Sequence, residues 1–174
     1  MAATNQGVFS GTTAGPYQVG SSGSIATGAA GQTGYVDFSG GSSATARAAT
    51  QVVELKATFG TSPTALTTLD VYAAYCATSG GTYDGGCAPS GAATNSNGAA
   101  YTGYSGGTVA NDVKQLAYIG SLTVDAVTAQ QTGKVGIFTP LLEFVSFVVL
   151  NNTTGQTAGS VAINVYPVQD ESGV

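Results

Sequence analysis

The string Gly103-Tyr104-Ser105-Gly106-Gly107 has the G-x-S-x-G spacing of a hydrolase nucleophile elbow, in which a serine on a sharp turn attacks an acyl carbon. Such a serine needs an imidazole to take its proton, and the chain contains no histidine. With 26 glycines in 174 residues, the string is explained by composition. Acid–base chemistry without histidine falls to paired carboxylates, as in glycoside hydrolysis. The candidates are Glu54, Asp70, Asp84, Asp112, Asp125 and Glu143. Glu54 stands beside Lys56 on a polar strand face, and Asp84 and Asp112 stand in turn-like contexts where carboxylates cap or are solvated. Glu143, inside an apolar run, is the one that burial would perturb. Cys76 and Cys87 bracket a flexible glycine-rich stretch. They suit a disulfide, worth about 3 kcal/mol on loop-entropy grounds, as well as they suit two free thiols in a reducing cytoplasm. Two cysteines without a histidine do not complete a zinc shell. No phosphate loop, dinucleotide fingerprint or calcium loop is present, so no catalytic residue, metal or cofactor is expected.

The charges that remain are few. Four basic residues, Arg47, Lys56, Lys114 and Lys134, against nine acidic ones give a net charge of −5 and no basic stripe, which excludes direct nucleic-acid contact. Met1 to Gly7 has neither the positive charge nor the apolar stretch of a signal peptide, so synthesis in the cytoplasm without export is expected. The longest apolar run, Leu141 to Leu150, is interrupted by Glu143 and Ser146 and is far shorter than the roughly 18 residues that span a bilayer.

The elements that must carry these residues read as strands. Val53, Leu55, Ala57 and Phe59 alternate with Glu54, Lys56 and Thr58, the period of a sheet with one buried face. Leu69 to Tyr75 alternates in the same way, although Ser62-Pro63 permits a helical turn before it. Asn111-Asp112 suits the cap of a short helix, Leu116 to Val124 resumes alternation, and Thr132-Gly133 reads as a turn. Val135 to Phe138 follows, and Leu141 to Leu150 is apolar on both faces, as a central strand is. Asn151 to Gly155 is a turn that also spells two overlapping glycosylation sequons, and Val161, Ile163 and Val165 complete the core. Counting Tyr35 to Phe38, the expectation is an all-β protein, a single jelly-roll β-barrel or β-sandwich of about eight strands. An extended N-terminal arm over residues 1–32 precedes one domain over 33–174, with a long glycine-rich loop at about 78–108.

A chain with so little charge and no catalytic set suits a part that packs against copies of itself. Phe9 and Tyr17 on the arm and Tyr83, Tyr101 and Tyr104 on the long loop are candidate interface anchors, the alternative for the loop tyrosines being packing onto their own domain. In length, strand pattern, arm and final strands, the whole chain resembles the smaller, single-barrel major capsid protein of tailless, membrane-containing icosahedral DNA phages of thermophilic bacteria, the Thermus phage type. That resemblance implies a virion location and an icosahedral shell built with further copies and a second, larger capsid protein. It also implies proximity to an internal viral membrane. The other expectation is a decoration, spike or tail-fibre β-sandwich module that binds a surface glycan or protein through the 78–108 loop, where Tyr83 with Asp84 and Tyr101 with Asn95 and Asn97 pair aromatic and polar groups.

Overall fold

The structure, a computed structural model, describes residues 14–20, 23–38, 50–76, 98–103 and 107–168. The alternation in Val53, Leu55, Ala57 and Phe59 is realised in a ten-residue strand, Thr50–Phe59, whose apolar side chains are buried and whose Glu54, Lys56 and Thr58 face outward. Repeated along the chain, such segments build nine strands among the described residues. They are β1 (Ala14–Gln18), β2 (Ala30–Asp37), β3 (Thr50–Phe59), β4 (Thr68–Cys76), β5 (Ala99–Tyr101), β6 (Ala117–Thr123), β7 (Gln130–Phe138), β8 (Phe144–Asn151) and β9 (Ala158–Val168). One short helix, α1 (Val109–Asp112), runs into a 3-10 turn at Val113–Gln115.

The strands form two antiparallel sheets, so the protein is an all-β sandwich. One sheet has the order β1-β9-β3-β7 and the other β5-β2-β8-β4-β6. Their facing sides enclose the core, in which Val53, Leu55 and Val71 meet Phe147, Val149, Ile163 and Val165. At one corner β6 and β7 meet backbone to backbone at Gly120 and Gly136, closing the sandwich there. β8 explains the doubly apolar run: it is central, with Val145, Phe147 and Val149 facing the core while Val148 and Leu150 face the other way. The outer cluster they join includes Ala30, Tyr72, Ala74, Tyr101 and Val113, packed against Val109 and Leu116. The helical segment is thus a lid on the outer face of the five-stranded sheet.

One ladder irregularity is bridged by side chains. β2 shifts register against β8 between Gln32 and Tyr35. There Thr33 Oγ1 accepts the Phe147 amide at 3.0 Å, and Ser146 Oγ donates to the Thr33 carbonyl at 2.8 Å. The turn after β8 is organised by Asn151, which is fully buried. Its Nδ2 donates to the carbonyls of Ile25 (2.8 Å) and Gln156 (2.9 Å), and its Oδ1 accepts from the Thr153 amide (2.9 Å) and hydroxyl (2.6 Å). The first of the two sequons is therefore a structural turn.

Several local expectations are corrected. Thr132 and Gly133 are not a turn but lie inside β7, paired with Lys56 and Leu55 of β3, with Leu122 Cδ1 packed 2.8 Å from where a Cβ on Gly133 would stand. The strand expected over 141–150 begins only at Phe144, because residues 141–143 form the bend that returns the chain from β7. Thr108 rather than Asn111 or Asp112 occupies the helix N-cap. Residues 60–67 form turns, with no helix before β4. Within the expected arm, Ala14–Gln18 pairs with β9, Ile25 bridges Ala158 and β2 begins at Ala30, so these residues belong to the sandwich.

Candidate interaction surfaces

Glu54 projects from the outer face of the four-stranded sheet, and the ladder decides its neighbours. It stands opposite Asn164 on β9 and Lys134 on β7. Asn164 Nδ2 donates to Glu54 Oε1 at 2.9 Å and the Tyr166 hydroxyl donates to the same oxygen at 3.0 Å. Lys56 Nζ lies 3.5 Å from Oε1, Lys134 Nζ lies 3.8 Å from Oε2, and Lys134 also covers the Tyr166 ring at 4.4 Å from its centroid. Desolvation pulls the Glu54 pKa upward, but the bonds from Asn164 and Tyr166 with the charge of Lys56 outweigh it, and the carboxyl is held below its ordinary value. Tyr166 moves the other way, raised by burial and then by its bond to Glu54. This carboxylate is a cross-strand tie, with its donors gathered on Oε1.

Asp70 has a similar position on the other sheet. Ser121 Oγ donates to its Oδ1 at 2.5 Å and Asn152 Nδ2 to its Oδ2 at 2.6 Å. Since Ser121 gives its proton to Asp70, the Tyr118 hydroxyl 2.5 Å away is the donor to Ser121. Tyr118 meets Tyr72 edge to face at 5.4 Å, and burial, followed by the charge of Asp70, raises the Tyr72 phenol pKa. Together they form a band of aromatic, carboxylate and amide groups with Tyr118 exposed.

The remaining carboxylates are dispersed. Asp112 is buried, and Gly103 and Gly107 press their backbones against its carboxylate, so a Cβ at either would collide with it. The end glycines of the G-x-S-x-G string thus have a packing reason; residues 104–106 lie outside the described residues. Asp125 is exposed in a loop clasped by Gln131, whose Oε1 accepts the Asp125 amide at 2.8 Å. Glu143, the carboxylate that burial would have perturbed, is exposed. Among the described residues no group of three or more His, Cys, Asp or Glu side chains could hold a metal ion, and no helix is long and apolar enough to cross a membrane.

Of the candidate anchors, Tyr101 is 2% exposed inside the outer cluster, so packing onto its own domain accounts for it. Tyr17 is half-buried on β1, where burial raises its phenol pKa. Phe9, Tyr83, Tyr104, Asp84 and Cys87 lie outside the described residues, as does the side chain of Cys76. A shallow cavity of about 310 Å³ at the β1–β9 edge is lined by Pro16, Gln18, Gly23, Ser160, Val161 and Ala162, none of them charged.

Sequence reading missed the apolar side chains at the two ends of the sandwich. One end, where residues 60–67 meet the β6–β7 loop, carries Leu66, 82% exposed, and exposed Val127. Leu66 has φ 64°, a left-handed conformation that costs a leucine about 1 kcal/mol or more. The other end carries Ile137 (63% exposed), Leu141 (71%) and exposed Leu142. No protein-family model matches the chain, and a search of curated proteins found no match.

Proposed function

We propose that this chain is a structural virion protein, a coat subunit of jelly-roll type that assembles with copies of itself and with a partner capsid protein into an icosahedral shell. The observation that carries this reading is the strand order. Apart from short β5, the sheets read β1-β9-β3-β7 and β2-β8-β4-β6. Successive strands cross between the sheets, save β4 to β6, which stay together as neighbours. Such interleaving of first with last strands characterises jelly rolls, an architecture that recurs in viral capsid and lectin domains. Folds host many activities, so the surface must choose among them. Glu54 and Asp70 are engaged in cross-strand ties, and the exposed apolar groups sit at the ends, where neighbours in a shell would touch.

A second reading, a decoration, spike or tail-fibre module binding a glycan or protein, draws on the Tyr72, Tyr118, Asp70 and Asn152 band, since sugars are commonly held by an aromatic face beside carboxylate and amide groups. The test is electron microscopy and light scattering of the purified chain from micromolar to millimolar concentration, alone and with a capsid protein encoded in the same genome. Regular sheets, rings or shells support the coat reading. A chain that stays monomeric with that partner, yet is retained on a glycan array through Tyr118, overturns it in favour of the binding module.

A further inference from the structure

We infer that the outer face of the β4–β6 pair binds a neutral oligosaccharide, a sugar ring lying on Tyr118 and its hydroxyls bonding Asp70 and Asn152; this rests on the glycan-binding reading and holds whether or not the chain assembles into a coat. Ladder pairing puts Tyr72 opposite Tyr118, Asp70 opposite Ser121 and Thr68 opposite Thr123, on the side away from Leu69, Val71 and Leu122 of the core. The row runs about 13 Å at strand rise, room for a disaccharide. Tyr118 is fixed by its bond to Ser121 and its edge contact with Tyr72, yet it is 59% exposed. A large aromatic side chain held still in solvent adds little to the core and offers flat apolar surface with a polar tip. Asn152 is fixed as well, its backbone amide donating to the Thr68 carbonyl at 3.0 Å while its side chain holds Asp70.

The chemistry of the row selects the ligand. Each oxygen of Asp70 accepts one protein bond and keeps a second lone pair for a ligand hydroxyl. Asn152 is exposed and gives one amide proton to Asp70, which leaves its other proton and its carbonyl oxygen for a hydroxyl. Neighbouring hydroxyls of a pyranose match these adjacent acceptors and donors, and its C–H face matches an aromatic ring. The row contains no Lys or Arg, and the Asp70 carboxylate at its centre repels phosphates, sulfates and acidic sugars. A peptide cannot add as a further strand, because β4 lies between β8 and β6, and β6 is closed against β7 at Gly120. Residues 39–49 and 77–97 leave β2 and β4 where both strands flank Phe144. That end is about 20 Å along β4 from Asp70, so neither segment departs over this row.

The experiment is saturation-transfer NMR and isothermal titration of the full chain with gluco-, galacto- and manno-oligosaccharides, and with oligogalacturonate as the acidic comparison. The variants are Tyr118→Ala, Tyr118→Phe and Asp70→Asn; position 118 is exposed, so its variants should keep the fold, which thermal melts verify. At least one neutral series is expected to bind. Tyr118→Ala and Asp70→Asn should each weaken that binding about tenfold or more, and Tyr118→Phe, which keeps the ring, by no more than about threefold. Oligogalacturonate is expected not to bind. Binding of the acidic sugar through Tyr118 overturns the neutral assignment and leaves the glycan-binding reading standing. Neutral-sugar binding that is unchanged in Tyr118→Ala and Asp70→Asn places the sugar elsewhere and overturns this site. No binding of any sugar overturns the inference together with the glycan-binding reading, while the coat reading is decided by its own assembly test.

Discussion

Gly120 and Gly136 face each other across the corner where the sheets join, each against the other strand's backbone. A Cβ on Gly120 would run into the Val135 carbonyl oxygen, and one on Gly136 into that of Ile119. Neither obstacle is a side chain that can swing aside. Gly120→Ala and Gly136→Ala should each cost about 1–3 kcal/mol by forcing the strands apart. Urea denaturation checks this, and an unchanged midpoint for both would mean that the corner is looser than the geometry implies.

The tie at Glu54 should make stability depend on pH in a defined direction. Its folded pKa lies below the ordinary 4.5, so the folded state favours the charged carboxylate. The stabilisation is complete above that ordinary value and fades as pH falls through the lower, folded one. Glu54→Gln should therefore cost about 1–2 kcal/mol at neutral pH, and the gap from wild type should close in acid. Thermal melts between pH 3 and 7 would contradict the tie if the gap were constant.

Asn151 uses both ends of its amide in full burial. Asn151→Ala should cost about 2–4 kcal/mol, because it strips partners from buried carbonyls and from the Thr153 amide. Asn151→Asp keeps the acceptor but loses the donor and brings in a charge, so it should be no better. Calorimetry would decide, and a mild effect from either change would remove Asn151 as the organiser of the turn.

Gln32 is fully buried on the outer face of β2, between Ala99 and Val148, and neither its Nε2 nor its Oε1 has a hydrogen-bond partner among the described residues. Replacing an unsatisfied amide by an apolar group of similar volume removes a desolvation penalty. Gln32→Met should raise stability by about 1 kcal/mol. A loss of that size in chemical denaturation would show that the amide is satisfied in solution.

What could be read from sequence followed the range over which each signal acts. Val53 to Phe59 announced its buried face through neighbours two apart, and the doubly apolar segment ending at Leu150 announced a central strand. Thr132-Gly133 misled because the residues lie mid-strand, paired with Lys56 and Leu55 of β3, a partnership that no local pattern encodes. The partners of Glu54 were illegible for the same reason: Asn164 is 110 positions away and becomes a neighbour only through β9 pairing. Tyr101, in a polar glycine-rich stretch, looked like a surface anchor, yet β5 pairing carries it into the outer cluster. Leu66 stands out only once its backbone angle is known.

β9 lies between β1 and β3, bonded to both. During synthesis, therefore, the four-stranded sheet cannot form until residues 158–168 have been made, and β3 meanwhile has one edge of its ladder open. The loops that must close first are long, which slows folding, and an open edge invites pairing with other chains. In a cell making this protein in quantity, yield should depend on chaperone supply and on low temperature more than on the stability of the finished fold.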